Sequence, residues 1–598
     1  MLFGKRIGKY YLRYSWLLIL GIAALVAVDY FQLRIPEIYG AIIDGLDPTT
    51  TTTITTDMLL NLLYEAFWIV AVLAVGRFLW RVAFFCSANN TETRFRAAMF
   101  DHAKDLSQQY YKQNKVGNIM SLFTNDLETI NECFGDGTLM LFDALLLGIM
   151  AIYKMAVLNW KLTLFALIPM AFLASVGVIM CKYMTKKWDE RQDAFSQLSD
   201  FAQENFSGIA VIKAFVKEMK ELSAFKYVNK HNEDVNVSFV KASVLLDIMV
   251  SLFIGSVVTI VIGYGGWLAH EGTFILANEG GETSNVAALV MFISYFSTIT
   301  WPVMAIAMLI EMTSRGQASL KRINEFLDTP IDVKDREGVR DIEDVKGEIE
   351  FKNLTFKYPD GDRDVLKNVS FKINAGENVG IIGKTGAGKS TVVDLMLRTY
   401  NIDDGTFFLD GQDVNDLSIR SVRSAMAYVP QDNFLFSDTI ASNISFAYGE
   451  NDVDKQEIEE VAKLADIHGD VSSFKDGYET ILGERGVTIS GGQKQRTSIA
   501  RALMKHAAIL ILDDSLSAVD TKTEENILEG LKKNRAGKTT IYIAHRISTV
   551  KNLDKIILID DGEVVDIGTH DELMSRCAEY QKTVKLQELE EESEGGAL

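Results

Sequence analysis

The sequence is 598 residues long, more than one compact core accommodates, so at least two domains are expected. Its 80 acidic residues outnumber 60 basic ones for a net charge of −20, and no basic stripe runs along it, which excludes a nucleic-acid partner. With 48% hydrophobic residues and a mean hydropathy of +0.10 it is too apolar to be wholly soluble, while 23% charged residues exclude a chain wholly embedded in a membrane.

The chain opens with Lys5, Arg6, Lys9 and Arg13 ahead of an apolar run, Ser15–Val28. No small-residue cleavage site follows and further apolar runs do, so this reads as a retained membrane segment rather than a signal peptide. A membrane-crossing helix needs about 20 apolar residues. Six are expected: Ser15–Leu33, Leu60–Phe84, Gly137–Leu158, Leu162–Cys181, Ile248–His270 and Thr283–Ile310. The last three contain no Asp, Glu, Lys or Arg; the first three are interrupted by Asp29, by Glu65, Arg77 and Arg81, and by Asp143 and Lys154.

Lysine and arginine placement orients the spans. Asp44–Asp57 and Glu271–Glu282 contain neither residue, whereas Lys182–Lys241 holds ten, so both termini are expected in the cytosol. The two long inner connections, 85–136 and 182–247, lack proline and read as helical. If the second is two antiparallel helices of about 30 residues, each would reach roughly 45 Å beyond the bilayer as a stalk; the turns of the two connections are expected near Gly117–Asp126 and Gly208–Glu218.

A carboxylate at the bilayer centre costs about 2.5–3.5 kcal/mol, so Asp29, Asp143 and Asp247 should face a cavity or another helix. A helix-to-helix hydrogen bond is the plainer reading, and contact with a cationic substrate the functional one. Pro302 is expected to kink the sixth span. Trp160, Trp267 and Trp301 read as interface anchors or packing. Cys86, Cys133, Cys181 and Cys577 lie far apart without a CxxC pair, which points to buried, reduced thiols, and the seven histidines show no metal-ligand spacing.

After Arg315 charges become dense, and strand-like runs alternate with helical ones. The expected division is a six-span domain over 1–315, a linker over 316–346, a soluble α/β domain over 347–585 and an acidic tail over 586–598, where Glu588, Glu590, Glu591, Glu592 and Glu594 cluster. Within the α/β domain an apolar strand from Asn378 runs into Gly383-Lys-Thr-Gly-Ala-Gly-Lys-Ser-Thr391 and then a helical stretch. That is a phosphate-binding loop in its required context. Gly383, Lys384, Thr385, Gly386, Ala387, Gly388 and Thr391 would wrap the phosphates of ATP, Lys389 would reach the terminal ones, and Ser390 would hold Mg²⁺. A second apolar strand, Ala508–Leu512, ends in Asp513, a carboxylate suited to the same ion. Between them, Ser490, Gly491, Gly492 and Gln493 precede a helix and make a second anion cradle, which must serve a neighbouring chain if it cannot reach the first.

In this order and spacing the motifs resemble the ATP-binding cassette (ABC) transporter family, and with six spans in front, its exporter half-transporters. The resemblance covers essentially the whole chain. It implies a helical membrane domain of type I ABC exporter form with six transmembrane helices and long cytosolic stalks, plus an α/β P-loop ATP-binding cassette. It further implies that Tyr358, in Phe356-Lys-Tyr-Pro359, stacks on adenine, that Gln431 senses Mg²⁺, and that Ser490–Gln493 closes on ATP held by a second half-transporter. Ser517-Ala-Val-Asp520 would be the dimer-interface loop, His545 the switch histidine, and Gly483-Glu-Arg-Gly486 an exporter-specific loop.

One departure stands out. The family usually places glutamate after the Mg²⁺ aspartate as the base for the attacking water, and this chain has Asp514. Withdrawing that carboxylate by a methylene, about 1 Å, can cost on the order of a hundredfold in rate. ATP is therefore expected to bind at this chain's own loop and to be hydrolysed slowly, as in the degenerate-site subunit of heterodimeric bacterial multidrug exporters; a homodimer is the alternative. The expected activity is ATP-driven, multidrug-type export of small amphipathic or hydrophobic compounds across a bacterial plasma membrane, with membrane lipid around the spans. A lipid or peptide exporter and an ATP-gated or regulatory subunit are the competing readings. The short stretch before the first span leaves no room for a peptidase domain, which disfavours peptide-maturing exporters.

Overall fold

The computed structural model describes residues 4–46, 55–271, 274, 285–448, 454–483, 486 and 488–595. Residues 47–54 and most of 271–282, in the expected outer connections, lie outside these residues, as do Glu484 and Arg485. The chain forms two compact units, Met1–Lys104 with Lys115–Thr329, and Asp105–Asn114 with Pro330–Leu598.

The first unit is helical. Its long elements are Ser15–Gln32, Ile35–Leu46, Thr56–Asp105, Leu127–Ser207, Glu218–His270 and Asn285–Asp328. Five stretches of these are long and apolar enough to cross a membrane on their own. The expected third and fourth spans share Leu127–Ser207, which breaks at Asn159 (φ −158°, ψ 104°). There the Asn159 Oδ1 accepts the Leu162 N–H at 2.9 Å, the geometry of an N-cap that starts a new helix, while its Nδ2 donates to the Phe274 carbonyl at 2.9 Å. Gly137–Leu158 and Leu162–Cys181 therefore lie on either side of a capped break.

Two of the charges that interrupt the first three expected spans, Glu65 and Lys154, are answered by residues outside those spans. Leu33 and Arg34 form a turn between the first two helices, and Arg34 pairs with Glu37 and, at 3.0 Å, with Glu65. Glu37 also receives Lys154 at 2.5 Å and the Tyr295 hydroxyl at 3.2 Å. Two cations and two anions from three helices thus form a closed network, which offsets much of their desolvation. The expected kink at Pro302 is not marked by a break: the helix continues through it, and the proline lies beside Gly148 of the neighbouring helix at ordinary contact distance. Asp126, 2% exposed, accepts from Ser319 at 2.6 Å and pairs with Arg322, tying the inner ends of two helices together. Cys133 and Cys577 are buried as expected, but Cys86 is exposed.

The second stalk turn falls where expected, with Gly208 closing one helix and Glu218 opening the next. The first falls eleven residues earlier than expected. The break is at Leu106–Lys115, around a short helix Gln108–Gln113 whose flanks Ser107 and Asn114 are extended, and Leu122–Asp126 is instead a π-helical bulge inside continuous helix. Gly117 misled the reading, because it sits in a helix with open space around it. The expected linker also starts late: helix persists to Asp328.

The cassette unit contains two sheets. Strands β1 (Ile349–Phe356), β2 (Leu366–Ile373), β4 (Phe407–Leu409) and β5 (Gln412–Asp413) form an antiparallel sheet in the order β2-β1-β4-β5. Strands β3 (Asn378–Ile382), β6 (Met426–Val429), β7 (Ile509–Asp513), β8 (Thr539–Ile543), β9 (Lys555–Asp560) and β10 (Glu563–Gly568) form the other, in the order β10-β9-β3-β8-β7-β6, parallel except for β10. Along β7 the side chains alternate between two cores, Ile509 and Ile511 on one face and Leu510 and Leu512 on the other. Burial on both faces is why these strands read as continuous apolar runs. The last helix, Ala578–Gly595, runs through the stretch expected to be tail.

Candidate functional site

Register places the chemistry. Ile543 of β8 is level with Ile381 of β3 on one side and Asp513 of β7 on the other. The residues that follow these strands, Gly383, Asp514 and His545, therefore emerge at one carboxyl edge of a parallel sheet, where such folds bind their ligands.

The loop after β3 is built around glycines that no other residue could replace. Gly383 has φ +159° and a Cβ there would meet the Ile559 carbonyl oxygen at 2.0 Å; Gly388 has φ +98° and caps the helix Lys389–Met396. Thr385 and Gly386 at the tip are exposed, while Ala387 is buried beneath them. Lys384 pairs with Asp560 at 2.7 Å, which turns its side chain away from the loop's interior. Lys389, 5% exposed, donates to the carbonyls of Gly383 and Lys384 at 2.8 and 2.9 Å, so its ammonium lies within the curl of the loop. Burial lowers its pKa, opposed by Asp513 and Asp514, and an anion at this point would meet a cation already stripped of water.

Asp513 is 4% exposed, and its carboxyl contacts the Ser390 hydroxyl and accepts from the Tyr428 hydroxyl at 3.3 Å. Burial raises its pKa. A carboxylate and a hydroxyl side by side beside a phosphate loop are hard oxygen donors, a set that fits Mg²⁺. The Gln431 side chain is exposed, and among the described residues no hydrogen bond joins it to Ser390 or Asp513; its expected part in the metal site stays a proposal.

Asp514 has φ +46°, a left-handed conformation that aspartate adopts more readily than most residues. Its N–H donates to the Ile543 carbonyl at 2.9 Å, and its own carbonyl accepts from the Ser517 hydroxyl at 2.9 Å. Burial, and next the Lys389 ammonium, lower the pKa of His545, which keeps the ring neutral at physiological pH. Two residues that sequence reasoning missed hold this loop. Gln587, in the last helix, donates from Nε2 to the His545 carbonyl at 2.6 Å and accepts the Ile547 N–H at 2.8 Å. Glu524, 6% exposed, accepts from Thr549 at 2.6 Å. Neither stands in a motif, so only the fold could reveal them.

Tyr358 packs edge-on against Phe356 and Tyr400, each with ring centroids 5.1 Å away, and its hydroxyl shares a 2.9 Å hydrogen bond with Thr391. Lys112, from Gln108–Gln113, sits over both tyrosine rings, bonds the Tyr400 hydroxyl at 3.0 Å and lies 3.6 Å from Asp394. The short connection helix is thereby fixed to the side of the phosphate loop where an adenine would follow.

The second anion cradle is elsewhere. Ser490 caps the helix Gly491–Met504 in a reciprocal box with Gln493 at 3.2 and 3.0 Å. Gly492 lies so close to the Ala518 carbonyl that a Cβ would be 3.0 Å from it, and Gln495 accepts the Ala518 N–H at 3.0 Å. Asp520 caps the next helix through the Thr523 N–H, also at 3.0 Å. The structure thus joins Ser490–Gln493 to the 517–520 loop, and among the described residues no hydrogen bond links it to Lys389, Asp513 or His545.

Comparison with known proteins agrees with this geometry. Residues 366–517 match the ABC transporter family and residues 18–303 match the ABC transporter transmembrane region. A probable multidrug resistance ABC transporter ATP-binding/permease protein of Bacillus subtilis (strain 168), YheI, is 35% identical across 99% of both chains. The multidrug resistance-like ATP-binding protein MdlA of Escherichia coli (strain K12) is 35% identical over 97% of this chain and 96% of its own. Among solved structures, a bacterial Atm1-family ABC exporter with ATP bound superposes with a TM-score of 0.73 and 25% identity, covering 97% of this chain and 98% of that one.

Proposed function

Given that the chain belongs to the ABC transporter family and couples ATP hydrolysis to transport across a membrane, we propose that it exports amphipathic or hydrophobic compounds, multidrug-type, by alternating access as one subunit of a two-cassette pump. The printed names of the two bacterial relatives support the cargo class. The observation that carries the pairing is the separation of the two cradles: the phosphate loop gathers Lys389, Ser390 and Asp513, while Ser490–Gln493 is braced on the 517–520 loop. A second cassette supplies what each lacks.

In this reading Ser390 and Asp513 hold Mg²⁺, with Gln431 approaching as the cassettes close. Held there, the ion would supply positive charge to offset the charge that develops on the phosphates. Lys389 binds those phosphates, Tyr358 receives the adenine, Asp514 orients and deprotonates the attacking water, and neutral His545 steadies the γ-phosphate. Asp514 reaches one methylene less far than a glutamate, so hydrolysis here is slow. This makes the partner a different half-transporter with a glutamate at that place, whose ATP this chain's Ser490–Gln493 completes. A homodimer is the second reading, favoured by relatives that carry both domains in one chain of the same layout. Lys112, locked to Tyr358 and Tyr400, carries cassette movement into the stalks.

The test is ATP-driven accumulation of a fluorescent cationic dye in inverted vesicles. The expected result is uptake against the gradient, lost in Lys389→Ala; equilibration without accumulation would identify a channel instead.

A further inference from the structure

Asp29, Asp143 and Trp301 come from three helices and meet at one level. Asp143 lies 16 residues before the Asn159 break, or about 24 Å at 1.5 Å per residue. In a hydrocarbon core of about 30 Å, with the orientation proposed above, that level is in the inner half, where a cargo arriving from the cytosol would first be held.

The Asp29 side chain is 1% exposed and its Oδ2 has no hydrogen-bond partner among the described residues. Its carboxyl group is within hydrogen-bond reach of the Asp143 carboxyl, whose Oδ2 already accepts the Trp301 Nε1–H at 2.6 Å. The other charged group acting on the cluster is Arg77, from Thr56–Asp105, whose hydrogen bond goes to Gln32 Oε1 at 3.3 Å. Two carboxyl groups in contact are stable only with one proton between them or a cation beside them, and the Asp29 Oδ2, a buried acceptor without a donor among the described residues, costs about 1–3 kcal/mol or more. The missing element is a cation that also donates a hydrogen bond.

We infer that Asp29 and Asp143, with the Trp301 indole beside them, form a site for the protonated amine of a transported compound. The chemistry of the set favours an organic ammonium over a metal ion. The described residues contain no cluster of three or more metal-ligating side chains, the indole N–H is a donor, and an aromatic face attracts organic cations. Asp143 is half-buried and Trp301 is 45% exposed, so the site opens on their side and closes on Asp29. An N–H of the amine would donate to the free Asp29 oxygen, its charge would balance the pair, and its apolar remainder would lie against Trp301. This inference names the substrate class for the export reading and rests on it.

The experiment places the full chain, with whatever second cassette it requires, in lipid nanodiscs and titrates two fluorescent probes, dansylcadaverine and its N-acetyl derivative, which differ only in the charged amine. The wild type should bind the amine at least tenfold more tightly. Asp29→Asn and Asp143→Asn should each weaken amine binding about tenfold and leave the acetylated probe unchanged. Trp301→Leu should weaken it about threefold, and Asp247→Asn, at an exposed position, should keep the preference. Should Asp29→Asn fold poorly in a thermal melt, Asp143→Asn gives the same reading. Equal binding of the two probes, binding of neither, or a preference that survives both substitutions would overturn the site; equal binding is the result if the two carboxyls merely share a proton. ATP-driven accumulation of a neutral dye is scored separately, so a failure of export leaves amine recognition legible on its own.

Discussion

In the cassette, Gly383, Asp513 and His545 reach one place because three neighbouring strands end in register, with Ile543 level with both Ile381 and Asp513. In the membrane unit, Asp29, Asp143 and Trp301 meet, with no backbone hydrogen bond between their helices among the described residues, through one indole hydrogen bond and a pair of carboxyls. The first arrangement is held by backbone, the second by side chains alone. A backbone-held site confines each position to one residue type, as at Gly383, where a Cβ would sit 2.0 Å from a carbonyl oxygen. A site held by side chains leaves no such mark.

Substitutions can break or sharpen this contrast. The largest effect is expected from Lys389→Ala, which removes the buried ammonium inside the loop and should weaken binding of a fluorescent ATP analogue to this chain about a hundredfold; a change under threefold would mean that the backbone cradle suffices. Next comes Gln587→Ala, which frees the His545 loop from both of its clamps. Turnover should fall about tenfold with KM nearly unchanged, and Gln587→Glu, which keeps the acceptor for Ile547 but loses the donor, should fall between. Equal losses in kcat and in unfolding temperature would reduce Gln587 to a packing role.

The pH dependence of turnover comes third. Burial and the Lys389 ammonium depress the His545 pKa, so the neutral ring persists as pH falls through the ordinary histidine value of about 6.5 and is protonated only below it. Activity should stay level from pH 7.5 to 6.5 and decline at lower pH; a decline centred above 6.5 would contradict the neutral-ring account. The smallest effect belongs to the membrane unit. Asn159→Ala removes a cap and the donor to Phe274, and should lower the apparent unfolding temperature by a few degrees, equivalent to about 1–2 kcal/mol.

The same contrast explains what was legible in the sequence. The phosphate loop, the β7 aspartate and the capped signature helix were readable because strand, glycine and cap each have a local physical cause. The spans were readable from hydropathy, and the partners of the charges that interrupt them were not: Glu65 and Lys154 look like flaws until the fold shows them paired with Arg34 and Glu37. The first stalk turn was misplaced because Gly117 is an ordinary helical residue, while the break at Ser107 and Asn114 carries no glycine. Gln587 lies 42 residues from the carbonyl it holds, a separation at which no local pattern operates. The one-methylene departure at Asp514 was visible in sequence; its left-handed backbone was not.

That residue also offers the most direct test. Single-turnover ATP hydrolysis by the chain assembled with the second cassette it requires, the partner's own phosphate-loop lysine replaced, as wild type and as Asp514→Glu, isolates the carboxylate's reach. The account predicts slow hydrolysis by the wild type and a rise of about ten- to a hundredfold in the variant, even with a small stability loss from placing glutamate at φ +46°. Brisk hydrolysis by the wild type, unchanged by the substitution, would contradict it.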